Sequence, residues 1–234
     1  MSLQRARFRG DPSTHEFQEV LKRLKHDGCN LLVTGAVSED VTVEATQTLL
    51  GAPNAERKRV VALADPRAEN VYERLPPGVD SEDSDVWIID QNACQRSVPK
   101  AAEGGGVSLP SDETDRSALG RLREEVVVAI DFFADADGGL DPSELRLSVS
   151  SLGRMAHEYD PDRVARFVRS VSAMVKGVRG MAHYHLPRPD DDEVVERLSS
   201  LFDARIELRK RDGLPTEQRW HVPQYDQTTE WVRL

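Results

Sequence analysis

Gly35 and Thr42 stand at the spacing of the first and last residues of a phosphate-cradling loop. An apolar run, Leu31-Leu32-Val33, leads into Gly35, and a helical stretch ending at Gly51 follows Thr42. In the loop G-x-x-x-x-G-K-[ST], the second glycine lets backbone N–H groups turn toward phosphate. The lysine reaches the β- and γ-phosphates, and the hydroxyl meets magnesium. Here Asp40 takes the second glycine's place and Val41 takes the lysine's. A carboxylate therefore stands where a phosphate needs cationic and N–H partners. The spacing predicts a strand, a loop and a helix, while the residue types predict that ATP is not hydrolysed there.

Two other constellations could do chemistry. His183 and His185 are two apart on a predicted strand, so they share one face. Two imidazoles can hold part of a metal's coordination shell, but a third ligand is needed. His157 and His221 qualify only if folding brings them close. The alternative is a pair of hydrogen-bonded histidines at a strand end. Residues 133–144, FADADGGLDPSE, fit a calcium loop at Asp135, Asp137, Gly138 and Glu144. Phe133 occupies the first-ligand position, and Leu145–Val149 reads as a strand where the motif has a helix. A solvated acidic turn is the expected structure.

The remaining polar clusters have structural readings. Cys29 and Cys94 make neither a disulfide framework nor a zinc pattern, and both are expected to be free thiols. Arg5, Arg7 and Arg9, and separately Arg205, Arg209, Lys210 and Arg211, are expected to form solvated faces or to pair with carboxylates. Trp220, Tyr225 and Trp231 are expected to pack the chain end.

Composition narrows the classes. A net charge of −10 on 234 residues argues against a large nucleic-acid footprint. Of the 31 basic residues, 25 are Arg and 6 are Lys. Abundant carboxylates with few lysines suit solubility in high salt, and a GC-rich genome gives the same bias. The N-terminal MSLQRARFRGDPS is basic without an apolar stretch, unlike a secretory signal. No apolar run reaches about 18 residues, the length of a membrane span. The expected location is cytoplasmic.

Periodicity places the elements that must position these residues. Helices are predicted over 15–27, 41–50, 67–74, 117–133, 162–177 and about 190–199. Strands are predicted over 30–35, 58–64, 85–90, 145–149 and 180–186. Residues 204–209 and 218–223 flank a turn at Asp212-Gly213 and read as a β-hairpin, and 231–234 as a last short strand. Alternating strands and helices imply a mostly parallel sheet with a C-terminal antiparallel hairpin. Residues 1–14 are expected to be a flexible terminus. Residues 15–234 form a single expected domain, and the Gly-, Pro- and Ser-rich stretch at about 91–115 a mobile loop.

Over roughly residues 15–223 this order of elements resembles the RecA/KaiC-like ATPase core. The resemblance implies a three-layer α/β sandwich. That family places adjacent glutamates after its second strand; here Leu63-Ala64-Asp65-Pro66 keeps only Asp65. A later strand of the family ends in Asp-Ser-Leu, whose Asp supports magnesium; here Ser150 replaces the Asp, and Ser151-Leu152 preserve the rest. Gly35, Asp40, Val41, Thr42, Asp65 and Ser150 are thus the positions of a degenerate nucleotide site. The runs Arg179–Pro187 and Gln218–Pro223 are similar to haloarchaeal proteins labelled "HTR-like", which favours the high-salt reading. The resemblance implies a pseudo-ATPase without ATP or magnesium as cofactor, acting through a protein partner or self-association. A nucleotide-binding switch that uses substitute residues, Thr42 and Asp65 foremost, is the alternative.

Overall fold

The computed structural model describes residues 12–63, 71–90, 118–136, 138–150 and 152–234. Asp65, Cys94, Asp137, Ser151, the three N-terminal arginines and the expected loop at 91–115 lie outside these residues, as does the first half, 67–70, of the helix expected at 67–74.

Six strands run parallel: β1 (Cys29–Thr34), β2 (Lys58–Leu63), β3 (Val86–Asp90), β4 (Leu145–Val149), β5 (Met181–His185) and β6 (Ala204–Arg209). β7 (Glu217–Val222) turns back antiparallel to β6, completing the expected hairpin. Two short strands, β8 (Gln227–Thr228) and β9 (Val232–Arg233), both pair with β7. The sheet order is β3-β2-β4-β5-β1-β6-β7-β8. β1 and β4 are buried along their whole length, because parallel strands flanked by crossover helices face apolar neighbours on both sides. β6 and β7 alternate buried with half-buried residues, since only one of their faces is covered.

One face carries α3 (Ala118–Asp135), α4 (Leu152–Glu158), α5 (Pro161–Gly177) and α6 (Glu193–Ser199). The other carries α1 (Pro12–Asp27), α2 (Glu39–Leu50) and a 3-10 turn at Val71–Arg74. α5 follows from its sequence: Val164, Phe167, Val168, Val171 and Val175 form one stripe, and the Asp160 carboxylate caps the N-terminus by accepting from the Asp162 N–H. α2 buries Val41, Thr42, Ala45, Thr46, Leu49 and Leu50. Its inward stripe is therefore part hydroxyl, and this decides what α2 packs on. Among the described residues no helix is long and apolar enough to cross a membrane.

Candidate functional site

Gly35, Asp40, Val41, Thr42, Ser150, His183 and His185 gather at the C-terminal end of the central strands, where β1, β4 and β5 end and α2 begins. The backbone explains Gly35 without a ligand. Its φ is +123°, and a Cβ there would fall 2.2 Å from the Leu208 carbonyl oxygen, so β6 passes too close for any side chain. Its N–H donates to the Arg188 carbonyl at 2.8 Å. A donor that a phosphate loop would aim at its ligand is spent on the chain itself.

Asp40 and Glu39 occupy the first turn of α2, where unpaired N–H groups and the helix dipole favour an anion. The exposed Asp40 carboxylate is held below its usual range by the Ser38 hydroxyl, by the backbone N–H groups of Asp40 and Val41, and by nearby Lys210. The Glu39 carboxylate accepts from Arg74 Nη2 at 2.7 Å, and Arg74 is itself buried. The first turn of this helix thus carries two carboxylates of the chain's own, one of them paired with Arg74. Val41, at the lysine position, is 1% exposed and packs in the cluster of Leu31, Val33 and Leu208. A lysine there would point into the core. Thr42 is buried, and its hydroxyl donates to the Glu39 carbonyl at 2.7 Å.

Ser150 follows β4, and its N–H donates to the Ala62 carbonyl at 3.1 Å. Its hydroxyl is buried without a partner, and so is that of Ser148. Ser148 lies beside His183 across the β4–β5 ladder. His183 and His185 do share one face, their rings edge to face at 5.3 Å between centroids. The Thr46 hydroxyl donates to the Thr42 carbonyl at 2.9 Å and so accepts from His185 Nε2 at 2.9 Å. This assigns the His185 proton to Nε2 and leaves Nδ1, like Nε2 of His183, buried without a partner. Burial pushes His185 down to about 3, with Arg74 adding to the effect. His183 is driven well below the ordinary imidazole value by burial, then by His185, Arg146 and Arg74. Both imidazoles are neutral at physiological pH.

His221 does not join them. It sits on β7 with Nε2 3.1 Å from Glu207 Oε2 and 3.8 Å from Asp190 Oδ2. These three residues offer ligand atoms within 4.8 Å of one another. The carboxylates are already matched: Asp190 accepts from Arg205 and from Thr34, and Glu207 accepts from Arg219 at 2.6 Å. With two guanidiniums neutralising two carboxylates, the group is an ion-pair ladder across the hairpin rather than a vacant cation site. Arg209 and Arg211 both pair with Glu217, as expected for a basic run among many carboxylates. Trp231 lies beneath Arg209 and Arg219, at 3.8 and 4.7 Å from ring centre to guanidinium. Trp220 is buried edge to face with Phe17 at 5.8 Å.

Elsewhere, Cys29 is buried and its thiol is pushed up to about 12, chiefly by burial, which makes it inert. The Glu144 carboxylate closes the turn before β4 by accepting from the Asp141 N–H at 2.8 Å. The element after that turn is a strand, unlike the helix of a calcium loop.

Two residues at this end of the sheet escaped sequence reasoning. Arg74 comes from a 3-10 turn and Thr46 from mid-helix, and neither belongs to a spaced motif. Thr46 carried one signal: a hydroxyl four residues after Thr42, on the apolar side of a helix that is otherwise Val, Ala and Leu.

A three-layer sandwich of this strand order, mostly parallel with C-terminal antiparallel strands, has the KaiC-like fold. The structure is similar to the KaiC-like protein PH0186 from Pyrococcus horikoshii, with TM-score 0.53 and 11% identity over 84% of this chain and 79% of that one. It is also similar to the uncharacterized protein PH0321 from the same organism, solved with an unknown peptide, with TM-score 0.58 and 14% identity over 89% of both chains. The chain belongs to the family of unknown function DUF7504, which matches residues 28–208. The comparison with curated proteins gave no match.

Proposed function

We propose that this protein is a pseudo-ATPase: a RecA/KaiC-like module that works by binding a protein partner, as a regulator or scaffold in signalling or gene regulation, and not by phosphoryl transfer. The observation that carries this reading is the start of α2, where Asp40 and Glu39 put two carboxylates in the first turn, unfavourable to a bound phosphate. Phosphoryl transfer depends on positioning and on neutralising phosphate charge. Here the Gly35 N–H is spent, the lysine position is a core valine, and a serine stands at the magnesium position. The peptide bound to the similar PH0321 supports a protein-binding role for this fold.

Titration of a fluorescent ATP analogue with magnesium, at low and high salt, tests the proposal. The expected result is no saturable binding up to millimolar nucleotide. Saturable micromolar binding would overturn it and favour a nucleotide switch built on Thr42 and Asp65.

A further inference from the structure

α2 holds the sheet through two rows of side chains that differ in chemistry. Val41, Ala45 and Leu49 pack with Leu31, Val33 and Ile206 in the cluster around β1 and β6. The adjacent row is Thr42, Thr46 and Leu50, of which only Leu50, in the last turn, joins the cluster around β2 and β3. The two hydroxyls donate back to carbonyls of their own helix, those of Glu39 and Thr42. Below this row the sheet presents Ser148 and His183, paired across β4 and β5, with Ser150 and His185 two residues further on.

Four atoms in that layer are buried without a protein partner: Oγ of Ser148, Oγ of Ser150, Nε2 of His183 and Nδ1 of His185. Ser148 is fully buried, and each histidine is 2% exposed. Such groups gain hydration when the helix above them lifts, whereas apolar groups lose burial. α5 has no such layer beneath it: Val164, Phe167, Val168, Val171 and Val175 belong to one continuous apolar cluster. The cost of lifting a helix is therefore lower for α2 than for α5.

The groups that face the two rings are Thr46 from α2, Ser148 from β4 and each other. On the remaining side β1 sets Leu31 and Val33 level with His183 and His185. The charges that act on the rings are cationic, Arg74 on both and Arg146 on His183. Arg74 is tied to Glu39, and Arg146 to the carbonyls of Ser143 and Leu49. Among the described residues no carboxylate bonds to either ring, so nothing in the closed arrangement favours an imidazolium.

We propose that α2 is an acid-released flap, which opens as a unit before the rest of the fold and is held open by protonation of His183 and His185. Above the ordinary imidazole value, about pH 6.5, open and closed forms bind the same protons and α2 stays closed. Below it the open form takes up protons that the closed form excludes. The open population then rises by up to about tenfold per pH unit for each ring. The inference concerns the chain alone and depends on neither a partner nor a nucleotide.

Hydrogen exchange of the full chain, read by peptide mass spectrometry from pH 7 to 5 and corrected for intrinsic rates, tests it. Peptides from α2 should exchange about tenfold or more faster than those from α5 at every pH. Their opening should steepen below about pH 6.5. A His183→Leu/His185→Leu double variant should lose that steepening. Ser148→Ala removes one unpartnered hydroxyl, keeps both rings and should slow α2 exchange throughout. Exchange of α2 together with α5, or α2 opening that ignores pH, would overturn the proposal on the parent chain alone, whether or not a variant folds. So would a slope kept by the double variant, or α2 exchange not slowed by Ser148→Ala.

Discussion

The two faces of the sheet are made by the same strands and hold their helices in different ways. Under α3, α4, α5 and α6, residues such as Leu32, Val60, Leu147, Val149 and Ala182 belong to one continuous apolar cluster. Under α1 and α2 the apolar contacts divide into two clusters, one around β1 and β6 and the other around β2 and β3. Between them lie Ser148, His183, His185 and Thr46, all buried, with Arg74 and Arg146 close enough to repel a proton from His183. Alternation along β4 and β5 makes the division: Leu147 and Val149 face one way, Ser148 the other. One face supplies cohesion. The other carries buried polar groups, several without partners, and these cost stability. Gly35, Asp40, Thr42 and Ser150 sit at the end of this costlier face, where the fold tolerates polarity.

The contrast can be broken most forcefully from the apolar side. Leu147→Ala deletes a fully buried side chain from the continuous cluster and should cost ~2–5 kcal/mol in urea unfolding. A cost below ~1 kcal/mol would mean that this face is not the cohesive one.

Acid should act on the other face. His183 and His185 are neutral in the folded state, whereas in the unfolded chain they titrate near the ordinary imidazole value. Below that value the unfolded chain binds more protons, so stability is complete above about pH 6.5 and falls as pH drops toward the depressed folded values. The slope should be on the order of a kcal/mol per pH unit for each imidazole. Urea midpoints measured from pH 7 to 5 check this, and His185→Gln should flatten the slope. A flat profile in the parent protein would show that the two rings titrate normally.

The smallest effect tests the side-chain hydrogen bond that joins α2 to the histidines, Thr46 to His185. Thr46→Val keeps the shape of the side chain and strands the His185 Nε2–H, so it should cost ~1–3 kcal/mol. If instead it is neutral, water already serves that ring, and the stripe is wetter than the packing of α2 suggests.

Much of the frame was legible in the chain. Hydrophobic periodicity located β1 to β7 and the long helices, because parallel strands under two helical layers must be apolar throughout, and α5 must show its valine stripe. It missed α4 and β8, which are too short to display a period. It could not give the strand order, because which strands pair depends on contacts distant in sequence. It also offered His221 as a partner for His183 and His185, when the antiparallel return of β7 carries it to Glu207 and Asp190 instead.

At the site, sequence alone determined the residue types: Asp40, Val41 and Ser150 bring a carboxylate, an apolar side chain and a hydroxyl to their positions, whatever the fold. Tertiary structure decided what those residues do. Gly35 is required by the close passage of Leu208, Val41 is required by the core, and Arg74 reaches Glu39 from a separate turn. Residue type fixes which interactions are possible, but burial and the approach of distant strands select among them, and those depend on the whole chain being folded.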